Sequence, residues 1–140
     1  MKVPTEIQSF SEIQSMFCIQ DSESIYETLI ELGKLIKSID EKYKVDENKV
    51  YGCQSNVWIV IDDNNIYADS NSAIVKGFLY ILLSIISSID FSLYKDYESY
   101  IFDKIQSIGL MNHISTFRKT GLIASIQKLC SLLKISHENS

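Results

Sequence analysis

Glycine, proline and cysteine are scarce in this chain: five, one and three residues among 140. So few glycines and prolines leave little room for long irregular linkers, and disorder is expected only at the two ends. Three cysteines, an odd number without paired spacing, argue against a disulfide framework and for free thiols in a reducing compartment. Basic runs are missing as well. The net charge is −5 with both signs interspersed, and no basic helical face carries interleaved aromatics, so nucleic-acid binding has no support. The most apolar stretch, Gly77–Ile89, is about 13 residues long. A membrane span needs about 20, so this stretch reads as a buried helix. The opening MKVPTEIQSF lacks the continuous apolar region of a signal peptide. A glycine-rich phosphate loop is also absent, and the Asp62–Asp63 pair falls in a turn, where solvation explains it.

What is present fits one globular domain. A chain of this length buries roughly 68–70% of its unfolded surface and needs no staple to hold a core. Hydrophobic residues at 46% and charged residues at 22% place it among ordinary soluble proteins. Ile7, Phe10, Ile13 and Phe17 share one helix face over residues 5–17. Asp21 or Ser22 then caps a helix from about Glu23 to Ile39, striped by Ile25, Leu29, Leu32 and Ile36. The charged segment Asp40–Asn48 reads as a solvated connection. From Lys49 the period changes. Lys49–Tyr51, Val57–Ile61 and Ile66–Ala68 read as a three-stranded antiparallel meander, turning at Asp62–Asn65. Asp69 or Ser70 caps an almost wholly apolar helix over Ser72–Ile89, which should be central. A helix with Tyr97, Ile101, Ile105 and Ile108 ends at Gly109. Ser115 or Thr116 caps the last one, in which Leu122, Ile126, Leu129 and Leu133 face inward. The expected class is α+β: a three-stranded antiparallel meander packed against about five helices. It forms a single domain over 1–140, with the first ~20 and last ~5 residues peripheral.

The three cysteines sit in different company. Cys130 lies between Leu129 and Leu132 on a helix, where a small buried apolar residue is the usual reading, and Cys18 follows Phe17 at the end of a helical stripe. Cys53 stands in Gly52-Cys53-Gln54-Ser55, a polar break beside a residue that lets the backbone bend. A thiol that reacts with another molecule needs such exposure. Two rival chemistries remain open. A metal or iron–sulfur site takes three or four ligands, commonly in close pairs, whereas these cysteines are far apart and His113 and His137 pair with nothing nearby. A cysteine hydrolase would use Cys53 as nucleophile and His113 as base, but one cysteine and one histidine in a chain are weak evidence.

The run DENKVYGCQSNVWIV, followed by ADSNSAIVKG, closely resembles the SufE/CsdE family of sulfur-acceptor proteins. That family usually reads D-E-N-x-V-x-G-C-x-S-x-V-W and then A-D-S-D-A-x-I-V-x-G. Tyr26, Ile30–Lys34, Gly109-Leu110, His113, Arg118 and Gly121-Leu122 extend the resemblance over roughly residues 20–135. The chain departs from the pattern at Ser22, Thr116, Phe117 and Thr120, none of them in the Cys53 segment.

The resemblance implies a two-layer SufE/NifU-like fold and a bacterial, cytoplasmic persulfide relay. A SufS/CsdA-type cysteine desulfurase, which carries the pyridoxal phosphate, would pass sulfur to Cys53 and be stimulated by this partner. A SufBCD-type scaffold for iron–sulfur assembly would receive it. No cofactor, nucleic acid or membrane is implied for this chain, which would be an accessory protein with a covalent persulfide rather than an enzyme. An IscU-like cluster scaffold is the alternative, and a stand-alone thiol enzyme ranks below it. Gly52 would let the loop swing, with Tyr51, Val57 and Trp58 as apolar flanks and Gln54 and Ser55 as loop hydrogen-bonding groups. Arg118 would act as an activating charge or a docking contact.

Overall fold

Each apolar period carries a helix with a capped start, the first of them beginning at Phe10 and leaving Ile7 outside it. The computed structural model describes residues 2–17, 21–91 and 96–138; Cys18 lies outside them. Helix α1 (Phe10–Met16) starts at Ser9, whose hydroxyl accepts the N–H of Glu12. Helix α2 (Ser22–Gly33) starts at Asp21, whose carboxylate accepts the N–H of Ser24 at 2.8 Å and is held below its usual pKa by that bond. Helix α3 (Ala73–Ser88) is capped by Ser72, and α4 (Tyr97–Ser107) by Asp96. The Ser115 hydroxyl accepts the N–H of Arg118 at 3.3 Å, starting α5 (Thr116–Glu138). Such caps satisfy N–H groups that the helix itself leaves without a partner.

Three expectations are corrected. The cap of α3 is Ser72, because Asp69 and Ser70 belong to the preceding strand and are buried. Helix α2 stops at Gly33 rather than Ile39. Beyond Gly33 the chain tightens into i→i+3 bonds, Leu35 to Leu32 and Ile36 to Gly33, which still bury Ile36 and Ile39. The sheet, among the described residues, has two strands, β1 (Val57–Asp62) and β2 (Asn65–Ser70). They pair antiparallel from Val57↔Ser70 to Asp62↔Asn65 around a turn in which Asp63 and Asn64 both have positive φ. Lys49 makes a single bridge to Trp58, and the Val50 N–H donates to the Val57 carbonyl at 2.8 Å. The third strand ends there. A 3₁₀ turn over Asp46–Asn48 precedes the bridge, and Gly52 at φ +100° turns the chain off the sheet edge just after it.

Helix α3 is the axis of the fold, buried continuously from Gly77 to Ile86 and packed against α1, α2, β2, α4 and α5. Its contact with α2 is the closest. A Cβ on Gly33 would lie 2.6 Å from the Ala73 carbonyl oxygen, and one on Gly77 would fall on the backbone of Leu29. The two glycines therefore let the helix backbones touch. The N-terminal segment is bound to the same helix: the Tyr80 hydroxyl accepts the N–H of Gln8 and donates to the Glu6 carbonyl, and the Ser84 hydroxyl donates to the Gln8 carbonyl. Ile13 and Phe17 are accordingly in the core. Among the described residues, no helix is long and apolar enough to cross a membrane.

Asp69 ties the sheet to its surroundings. Its buried carboxylate accepts the N–H of Ser70 at 2.8 Å and of Ile39 at 3.5 Å, and the ammonium groups of Lys44 and Lys76 lie 3.8 Å away. A buried charge is tolerated when it is paired and hydrogen-bonded in this way. The expected solvated connection, Asp40–Asn48, is thereby fastened to the body, with Tyr43 stacked on Tyr67 at 4.9 Å.

Candidate functional site

Both ends of the segment Tyr51–Ser55 are fixed. At one end Val50 is bonded to Val57; at the other, Asn56 donates its N–H to the Asn71 side chain at 3.0 Å and accepts from the Ser70 hydroxyl at 2.7 Å. Between these clamps, among the described residues, the hydrogen bonds to the body are long. Cys53 Sγ reaches the Gly121 carbonyl at 3.5 Å, and the Tyr51 hydroxyl reaches the Asp46 carbonyl at 3.5 Å. Gly52 supplies the left-handed turn that brings the thiol back toward α5. The result is a short loop, firmly anchored and weakly held at its tip.

Cys53 is half-buried and faces a cavity of about 210 Å³. The loop contributes Gln54 and Ser55; α3 contributes Ser72, Val75 and Phe78. The start of α5 supplies the opposite wall with Ser115, Phe117, Arg118, Gly121, Leu122 and Ser125. Two helix N-termini thus border the cavity, and their partial positive charge favours an anion there. Burial nevertheless pushes the Cys53 thiol above its ordinary pKa of 9.0, with the neighbouring Ser125 hydroxyl pulling the other way. These surroundings favour the neutral thiol over the thiolate.

Gly121 is what makes room for it. A Cβ there would lie 3.2 Å from Cys53 Sγ, closer than such atoms normally pack, and 3.7 Å from the Cys53 Cα and Cβ. A Gly121→Ala chain is therefore expected to fold normally while pushing the thiol outward. Less burial lowers the thiol pKa, and alkylation of Cys53 at pH 8 should rise about threefold, the equivalent of half a pH unit. An alkylation rate equal to that of the parent would show that the thiol is not confined by this contact.

The sequence-expected residues divide. Gln54, Ser55 and Arg118 line the cavity with Cys53. Arg118 directs its guanidinium over the Tyr26 ring at 5.6 Å, and it is not among the groups that shift the Cys53 thiol. Tyr51 is outside the cavity and 71% exposed, Val57 is fully buried in the core, and Trp58 sits on β1 beneath the Lys44 ammonium at 5.5 Å. The apolar wall comes instead from Val75, Phe78, Phe117 and Leu122. Sequence reading did not place Phe117 or Ser125 in the site. Their signal was the i, i+4, i+8 spacing of Phe117, Gly121 and Ser125, which puts all three on one face of α5.

His113 does not line the cavity; its Nδ1 is bonded to the Ser22 hydroxyl at 2.9 Å. Cys130 is buried on α5. Among the described residues, no three His, Cys, Asp or Glu side chains come together as a metal site would require.

Comparison with known proteins identifies the family of the chain. The family model described as "SufE: Fe-S metabolism associated domain" matches residues 11–132. The chain is 33% identical over 132 residues to an uncharacterized SufE-like protein of Rhizobium meliloti, covering 88% of this chain and 93% of that one. It is 32% identical over 131 residues to an uncharacterized SufE-like protein of Rhizobium etli, covering 88% and 87%. A cysteine desulfuration protein SufE of Wigglesworthia glossinidia brevipalpis is 31% identical over 141 residues, covering 91% and 94%. The chain belongs to the SufE family of Fe–S metabolism associated domains, and Cys53 with its cavity lies within the matched span.

Proposed function

We propose that this chain is a sulfur acceptor that takes persulfide sulfur from a cysteine desulfurase onto Cys53 and hands it to an iron–sulfur assembly scaffold. One observation carries the reading: in a SufE-family domain, the loop thiol faces a cavity with room beside its sulfur. The relative named as a cysteine desulfuration protein supports the class of partner. The partner brings the pyridoxal phosphate and does the carbon–sulfur chemistry. This chain works with its thiol alone, stimulates the partner by removing its product, and acts in the cytoplasm.

The transfer is thiol–disulfide exchange. The Cys53 thiolate attacks the terminal sulfur of the persulfide on the partner's cysteine. A new sulfur–sulfur bond forms to Cys53, the old one breaks, and the partner's cysteine leaves as a thiolate. One thiolate is consumed and one released, so no oxidant or reductant is needed. Delivery to the scaffold repeats the step with a scaffold thiolate as attacker. The neutral, sheltered thiol of the free chain resists stray oxidants. Docking then has to draw the weakly held loop tip outward. Exposed Tyr51 and Phe117, at 71% and 69%, stand beside the loop and the cavity and form the apolar rim for that contact. Gln54, Ser55 and Arg118 supply polar contacts within it.

The reading is tested by incubating the chain with its desulfurase and free cysteine and measuring the intact mass. One added sulfur atom that is removed by thiol reductant is expected. The same mass gain in a Cys53→Ser chain would assign the sulfur elsewhere.

A further inference from the structure

We propose that the Ser125 hydroxyl is a movable donor to the Cys53 sulfur, turning from the Gly121 carbonyl onto that sulfur when it becomes an anion. The inference rests on Cys53 being the group that ionises and receives sulfur, and it adds the residue that stabilises its charge.

The geometry is a shared acceptor. Ser125 is 3% exposed, and its hydroxyl donates to the Gly121 carbonyl at 2.9 Å. The Cys53 thiol donates to the same oxygen at 3.5 Å. Within a helix that oxygen also receives the backbone N–H of Ser125. A carbonyl offers two lone pairs, so three donors compete and the sulfur contact is the longest. A serine bonded to the carbonyl four residues back is common in helices and need mean nothing more. Here the carbonyl is the one the thiol uses, and both side chains line the same cavity.

Ionisation reverses the requirement at Cys53. The thiol loses its proton to solvent, nothing is oxidised, and the sulfur changes from donor to acceptor while it still faces a carbonyl oxygen. That arrangement is repulsive unless a donor intervenes. The Ser125 hydroxyl is buried, adjacent and one side-chain rotation away, and Gly121 keeps its helical N–H partner when the hydroxyl leaves. The Ser125 hydroxyl is bonded to the same oxygen that the sulfur contacts, which places it beside the sulfur, where it opposes the effect of burial. The other groups that face the cavity from the loop and α3 are Gln54, Ser55 and Ser72, all uncharged. Arg118 is the charged residue of the lining, and its guanidinium is engaged on Tyr26. A hydroxyl donor to a buried anion is the class of interaction that strengthens with charge.

The test needs no partner protein. Alkylation of Cys53 by iodoacetamide is followed against pH by peptide mass spectrometry in the parent, Ser125→Ala and Ser125→Thr chains. Cys130, buried on the same helix, reports intact packing. Ser125→Ala is expected to move the midpoint upward by about one pH unit, a tenfold loss of thiolate at a given pH below it. Ser125→Thr keeps the hydroxyl and the parent midpoint, with Cys130 protected in both. A parent midpoint in Ser125→Ala, with Cys130 still protected, overturns the proposal. If Ser125→Ala exposes Cys130, the threonine variant decides: a parent midpoint supports the proposal and a raised one overturns it. Because the midpoint is read on the free chain, this outcome is independent of whether a desulfurase delivers sulfur to Cys53.

Discussion

A Cys53→Ser chain is expected to dock on the desulfurase as the parent does, carry no sulfur away, and inhibit the parent competitively. The change replaces one atom on a loop whose two clamps, at Val50–Val57 and Asn56–Asn71, do not involve that atom. Tyr51 and Phe117 remain exposed, so the docking rim is intact. Chemistry is lost because a serine hydroxyl is not ionised near neutral pH and does not displace a thiolate from sulfur. Acceptor-dependent turnover should fall to the level measured without any acceptor. Cys130 does not substitute. Burial first, then the negative charges of Glu98 and Asp96, push its thiol up to about 12. At pH 7 such a group is ionised in on the order of one molecule in 10⁵. Turnover with the Cys53→Ser chain equal to that of the parent would refute the assignment. The absence of competition would instead show that the rim is not the docking surface.

Gly77→Ala is expected to destabilise the fold. A methyl group at Gly77 would fall on the Leu29 backbone, and backbone cannot rotate away as a side chain does. The helices α2 and α3 must separate, which costs about 3 kcal/mol as overpacking. Alanine gives back about 1 kcal/mol of helix propensity. The net loss is about 2 kcal/mol, and a chain of this size should melt roughly 4–8 °C lower. Gly121→Ala is the contrasting case. Its nearest neighbour is the tip of a flexible side chain, so the same substitution should leave the melting temperature unchanged or raised. If the two variants melted alike, close contact of α2 and α3 would not be a determinant of stability.

Much of this architecture was legible because local chemistry and tertiary packing agree. The stripe Ile25, Leu29, Leu32 and Ile36 is buried as its spacing requires, and α3 is central because it is apolar all round. Gly109 has the positive φ expected after a helix end, with Leu110 buried beside it. Lys49-Val50-Tyr51 has the composition of a strand without forming one, because pairing is decided by the turns on either side. The end of α2 is hidden in the sequence because Ile36 and Ile39 continue an apolar pattern that a tightened turn buries equally well. At the site the sequence singled out the thiol, its loop and Arg118 but not the rest of the opposing wall. Phe117, Gly121 and Ser125 reach Cys53 across 64 to 72 positions of chain. Only the packing of α5 against β1 brings that wall to the loop. Tyr51 and Trp58 are sequence neighbours of Cys53, but the turn at Gly52 and the alternation of β1 keep both out of the cavity lining.

The central claim is that Cys53 alone receives sulfur, and one measurement addresses it most directly. Chains retaining a single cysteine, at position 18, 53 or 130, are incubated with the desulfurase and ³⁵S-labelled cysteine. Protein-bound label that thiol reductant releases is then counted. The account predicts stoichiometric label on the chain that keeps Cys53 and background label on the other two. Equal label on the chain that keeps Cys18 or Cys130, or none on the one that keeps Cys53, would contradict it.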